Sequence, residues 1–142
     1  MKTLAITLAL ALSSFICNAQ KNDTLATYTI TVKINNTLNN NGHMLIGLHT
    51  TDTFMKTKGI QNSKAEIKDG KVEVTFKDVV PGEYAVMVLH DENDNNRMDF
   101  ESNGMPKESY GISNNPMLFG PPTFSDAAFK VTNENIDMII RL

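Results

Sequence analysis

Phe76-Lys-Asp-Val-Val-Pro-Gly-Glu-Tyr-Ala-Val-Met-Val-Leu-His90 decides how this chain folds. Pro81 presets φ and Gly82 is free to take positive φ, so Asp78–Gly82 reads as a turn. Beyond it Tyr84, Val86, Val88 and His90 fall on one face, with Ala85, Met87 and Leu89 on the other, the period of two that marks a β-strand. Before it Val72, Val74 and Phe76 alternate in the same way through Lys71–Lys77.

Working outward, the period of two recurs. Tyr28, Ile30, Val32 and Ile34 face one side, and Thr27, Thr29, Thr31 and Lys33 the other, which predicts a half-buried antiparallel strand. Residues 35–42 hold five Asn and one Gly, residues that accept left-handed backbone and bond it with their side chains, so a turn is expected. His43–Thr50 reads as the returning strand, apolar on both faces and therefore central. Thr51–Gly59 reads as a single helical turn crossing the end of a sandwich. Lys64–Lys68 and Lys71–Lys77, separated by Asp69-Gly70, give the best hairpin signal. Ala127–Thr132 and Ile136–Leu142, joined by Asn133-Glu134-Asn135, supply the last strands.

About seven short strands with turns between them predict an all-β fold: one antiparallel β-sandwich with a single long loop, Asp91–Ser125. That loop carries four of the five prolines, yet Phe100, Met105, Tyr110, Ile112, Met117, Leu118, Phe119 and Phe124 are too apolar to stay solvated. An ordered loop folded over one end of the sheets is expected.

The first residues read as a targeting segment. Lys2, an apolar run from Leu4 to Leu12 and Cys17-Asn18-Ala19 match a signal peptide cleaved after Ala19. The apolar run is shorter than the roughly 20 residues a membrane span needs. Ile16 stands where a lipoprotein signal wants a small residue before Cys17, so simple secretion or release into the periplasm is favoured. Residues 20–142 then form one β-sandwich domain without cysteine, and the loss of Lys2 moves the formal net charge from −3 to −4. With no disulfide, the core and a bound ion are left to hold the domain together. Mild acidity without a Lys/Arg cluster argues against nucleic acid and against an anionic membrane surface.

Several blocks carry a resemblance: Phe76–Tyr84; His90-Asp91-Glu92-Asn93; Gly104-Met105-Pro106-Lys107-Glu108-Ser109-Tyr110-Gly111; and Phe119–Phe129 with its Gly-Pro-Pro-Thr-Phe-Ser-Asp-Ala-Ala core. The first resembles the strand-turn-strand of transthyretin-like and immunoglobulin-like modules. Together they resemble the secreted bacterial family of unknown function numbered 2141 over nearly the whole mature chain. The resemblance implies an extracytoplasmic β-sandwich with no assigned activity. That family has Gly where this chain has Asp94 or Asn96 in the polar loop.

The sharpest chemical signal is His90–Phe100. Asp91, Asn93, Asn95 and Asp99 stand at relative positions 1, 3, 5 and 9, the spacing by which a tight loop turns successive oxygens toward one hard cation, with the carbonyl of Arg97 as a further donor. Position 6 is Asn96, which tolerates left-handed backbone. Position 12 is Ser102 instead of Glu, which excludes a helix-loop-helix sensor and leaves Glu101 or a distant carboxylate such as Asp52 or Asp126 to compensate. A structural Ca2+ of weak affinity, on the order of 10⁻⁴ to 10⁻³ M, is expected. The same residues also gather in any tight turn, because their side chains bond the local backbone.

For a ligand, Tyr110, Phe119, Phe124, His90 and His49 are the candidate contacts, in a module that binds an extracytoplasmic ligand or protein. The alternative is a small enzyme with His49, His90, Asp91 and Glu108 beneath the loop, or a transition metal held by two histidines with Asp91 or Glu92. The sequence leans against catalysis. Ser113, in Gly111-Ile112-Ser113-Asn114-Asn115, lacks the second glycine of a nucleophile elbow, no cysteine survives maturation, and neither a His-Glu-x-x-His nor a phosphate loop occurs.

Overall fold

The computed structural model describes residues 25–142, so the expected signal peptide lies outside the described residues. The strands are β1 (Tyr28–Ile34), β2 (His43–His49), β3 (Gln61–Ala65), β4 (Val72–Val79), β5 (Gly82–Asp91), β6 (Tyr110–Ile112), β7 (Phe129–Val131) and β8 (Ile136–Ile139), with one helical turn, α1 (Phe124–Ala127). They make two sheets. One has the order β4-β1-β8; the other has β3-β2-β5-β6, with β7 on the remaining length of β5.

Period-two alternation builds the space between them. Ile30, Val32 and Ile34 from β1, Met44, Ile46 and Leu48 from β2, Val72 and Phe76 from β4, and Val86 and Val88 from β5 are buried in one cluster, closed by Ile140 and Val131. This is an all-β sandwich. A second, smaller cluster of Phe54, Ala85, Ile112 and Ala127 sits on the far face of the β2–β5 sheet, with Phe124 and Leu118 packed against it.

Three expectations are corrected. The hairpin at Asp69-Gly70 makes its tight turn, with φ of +51° and +71° and a Lys68–Lys71 bridge. Its arms then part, β4 pairing with β1 and β3 with β2, so the turn passes the chain between sheets. The long loop is interrupted, because Tyr110–Ile112 pairs with Met87–Leu89 as β6. The last strand joins β1 in parallel, Ile30 opposite Ile136 and Val32 opposite Met138, where only antiparallel pairing was expected. Residues 50–57 form turns, with Phe54 N bonded to Thr50 O and Thr57 N to Thr53 O.

Candidate functional site

β5 carries the polar loop out of the sheet. Its last residue, Asp91, lies opposite His43 of β2 and is wholly buried. The turn before β2 presses on it: a Cβ on Gly42, whose φ is +61°, would stand 1.9 Å from the Asp91 carbonyl oxygen, so only glycine fits there.

From this base the loop winds on its own side chains. The Asp91 carboxylate accepts the Asn95 N–H at 3.1 Å and the Asn96 N–H at 2.8 Å. Asn93 Oδ1 accepts the Asn95 N–H at 3.1 Å, and Asn95 Oδ1 accepts the Arg97 N–H at 3.0 Å. Asp94 and Asn96 take the left-handed conformation, φ +60° and +61°, which Asp and Asn tolerate best among residues with a Cβ. The loop closes on Asp99, whose Oδ2 accepts Asn93 Nδ2 at 2.6 Å and Asn95 Nδ2 at 2.8 Å. The four expected side chains are therefore gathered in one turn, and Arg97 approaches Asp99 Oδ1 at 3.7 Å through Nε.

Sequence reading placed Glu108 only in the alternative catalytic set and missed that it fastens both ends. Glu108 is 7% exposed; its Oε1 accepts the Glu92 N–H and its Oε2 the Asp99 N–H, each at 3.1 Å. Nothing in the spacing signals this, because Glu108 returns from the far side of a finger, residues 99–107. The finger is zipped by Lys107 N to Asp99 O at 2.9 Å and Glu101 N to Met105 O at 2.7 Å, and it exposes Phe100 and Met105. On the outer side Asp94 meets His43 Nδ1 and, at 3.3 Å, Lys64 Nζ. The hydrogen bond from His43, with Lys64 adding to it, holds the Asp94 carboxyl below the usual Asp range.

Among the described residues no group of three or more His, Cys, Asp or Glu stands close enough to hold a metal.

The histidines do not meet. His49 lies opposite Ala85 and His90 opposite Met44 on the same strand pair, five residues apart, or about 17 Å. Buried His90 directs Nε2 to the Asn41 carbonyl at 2.9 Å, and its Nδ1 has no hydrogen-bond partner among the described residues, with Glu92 Oε1 3.9 Å away. His49 packs edge-on against Phe54 at 5.9 Å and reaches Thr53 Oγ1 at 3.3 Å; burial lowers its pKa, partly offset by Thr53. Asp91 and Glu108 spend both carboxylate oxygens on backbone N–H groups, so the alternative catalytic set of His49, His90, Asp91 and Glu108 is not assembled. Ser113 is fully buried, accepting the Val86 N–H at 2.9 Å and donating to the Ala127 carbonyl, which is a structural use of its hydroxyl.

The candidate ligand contacts are likewise dispersed. Phe124 packs on Phe54 at 6.0 Å, so it belongs to the His49 end, whereas Phe119 is 96% exposed. Tyr110 lines an open groove of about 540 Å³ with Pro116, Met117, Leu118, Arg141 and Leu142.

The chain belongs to the family described as "Uncharacterized protein conserved in bacteria (DUF2141)", whose model matches residues 32–139, a span that takes in the polar loop, the finger and β6. No curated protein matches the chain, and no solved structure does. Among the described residues no helix is long and apolar enough to cross a membrane.

Proposed function

We propose, from membership of this bacterial family, that the chain is a secreted or periplasmic β-sandwich module of transthyretin or immunoglobulin type. It acts by binding or by structural support, with calcium fixing the 91–99 loop. Residues 1–19 are its signal peptide, and residues 20–142 its single domain. The observation that carries the calcium reading is the convergence of the Asn93 and Asn95 carboxamides on Asp99 Oδ2, while Asp91 organises the turn beneath them. A half-turn of either carboxamide exchanges its nitrogen for oxygen, at the loss of the Oδ1 bond to the Asn95 or Arg97 N–H. The site then offers Asp91, Asn93, Asn95 and Asp99, with the Arg97 carbonyl, to a hard divalent cation. Glu108, with its two oxygens on the Glu92 and Asp99 N–H groups, serves as the clasp.

In this reading the ion does no chemistry. It replaces hydrogen bonds that solvent competes for with charge attraction, and it fixes where the finger and the residues up to Ser125 lie on the sandwich. That segment is the recognition surface. The assay is a melting curve of the mature protein in 10 mM calcium against EDTA. A dissociation constant on the order of 10⁻⁴ to 10⁻³ M gives about 1.4–2.7 kcal/mol, or about 5–10 °C. Identical curves would sink the ion. Mass spectrometry of protein exported by a bacterial host tests the leader: a chain starting at Gln20 supports it, and a retained Met1 overturns it.

A further inference from the structure

β4 is an outer strand of its sheet, and the ladder on its inner side fixes which of its backbone groups lack a partner. Lys33 O accepts the Ile140 N–H at 2.9 Å and the Thr29 N–H reaches Asn135 Oδ1 at 2.9 Å, so the odd-numbered residues of β1 address β8. Ile30, Val32 and Ile34 therefore bond β4, through Phe76, Val74 and Val72. Glu73, Thr75 and Lys77 are left with N–H and C=O turned toward the open edge. The Lys77 carbonyl has this direction, since it accepts Gln61 Nε2 at 2.8 Å from outside the sheet. Among the described residues the backbone groups of Glu73 and Thr75 and the Lys77 N–H make no hydrogen bond. All three residues are exposed, the Glu73 side chain to 63%, and a bulge with Asp78 at φ +55° ends the straight edge just beyond Lys77.

Reversed about Thr75, this stretch is complementary to itself: Glu73 falls opposite Lys77, Val74 opposite Phe76 and Thr75 opposite Thr75. We propose that β4 pairs antiparallel with β4 of a second copy of this chain, across a two-fold axis at Thr75, so that the two β4-β1-β8 sheets run on as one. The bonds fall where the unpartnered groups are. Two join the Thr75 residues and two join each Glu73 to the other copy's Lys77, displacing the Gln61 side chain. On the outer face each Glu73 carboxylate meets a Lys77 ammonium, and the two threonines stand together at the axis. Lysine alone guards a strand edge, because it repels the same lysine of another copy. Here the reversed register sets Glu73 against each Lys77, and that charge complementarity selects a second copy of this chain over an unrelated strand. Beside Glu73 an open hollow of about 530 Å³, lined by Glu66, Lys68 and Lys71, leaves room for the other copy's turn at Asp78. Residues 73–77 alone on each side cover less than the roughly 1,200 Å² of a standard interface, so the dimer is reversible.

Sedimentation equilibrium of the mature chain, carried up to about 1 mM protein where a weak interface is populated, should show monomer and dimer in exchange. Hydrogen exchange at the Glu73, Thr75 and Lys77 amides should slow as the dimer forms. Glu73→Lys and Lys77→Glu, both at exposed positions, each set two like-charged pairs across the axis and should weaken dimerisation about tenfold. Mixed in equal amounts, the two variants regain opposite charges at both pairs and should dimerise with each other as the unaltered chain does. Both variants stay net negative, so bulk attraction does not account for that rescue. A chain that is monomeric at every concentration, a dimer indifferent to both substitutions, a mixture no better than its components, or protection that arises on β8 or β6 in place of β4 overturns the proposal.

Discussion

The two ends of strand β5 are built from opposite materials. From Tyr84 to Val88 it is enclosed by side chains of both sheets, and its stability comes from removing apolar surface from water. From His90 to the Glu108 clasp the restraints are hydrogen bonds and ion pairs, the ones that wind and clasp the loop running from a backbone N–H to a side-chain oxygen, and the loop is largely exposed. The first kind of order tolerates loss of any one contact poorly but survives salt and pH. The second is local and cheap to open.

The largest effect that separates them should come from Leu48→Ala, which opens a cavity in the fully buried core and should cost about 2–5 kcal/mol in urea unfolding while leaving any calcium shift intact. Asp91→Ala should cost less, about 1–3 kcal/mol, by leaving the Asn95 and Asn96 N–H groups without their acceptor, and should abolish the calcium shift. A calcium shift that persists in Asp91→Ala breaks the assignment of the ion to this loop. Glu108→Gln keeps one oxygen and loses the other, so about 1 kcal/mol is expected, with faster hydrogen exchange confined to the Glu92 and Asp99 amides. Exchange that quickens throughout the sheets instead would show that the loop is no separate unit.

Acid gives the smallest and most selective test. His49 has a lowered pKa in the fold, so its contribution is present above the unfolded value near 6.5 and is lost as pH falls below that toward the folded value. Asp94 is also lowered, so what it adds is present above the ordinary Asp range and lost only as pH falls through its depressed value. The Phe54–Phe124 end should therefore loosen first on acidification, visible as earlier changes in His49 and Phe54 NMR signals. If the Asp94 side responds first, the ordering is wrong.

What the sequence made legible was whatever depends on residues near one another. The faces of β1, β2 and β5, the tight turn at Asp69-Gly70 and the winding of residues 91–99 all follow from local alternation or local side-chain bonding. Partners were not legible, because alternation says which face is buried and not against which strand. Hence β3 and β4 parted after a good hairpin turn, and β8 joined β1 in parallel. His49 and His90 each lie at the end of a strand, as the sequence says, but antiparallel pairing puts them at opposite ends of the strand pair. Glu108 was unreadable as a clasp, since its two N–H partners are separated from it by sixteen and nine residues. Tyr110–Ile112 is too short for its period to stand out from the proline-rich sequence around it.

The finger from Asp99 to Lys107 is zipped to itself and clasped at its root by Glu108, and Gly104 at its tip, φ +83°, has open space where a side chain would sit. Its tip is thus mechanically insulated from both sheets. A foreign sequence spliced between Asn103 and Gly104 should leave the sandwich unfolding at its usual temperature. The same insulation makes the tip a place where added length costs the scaffold little.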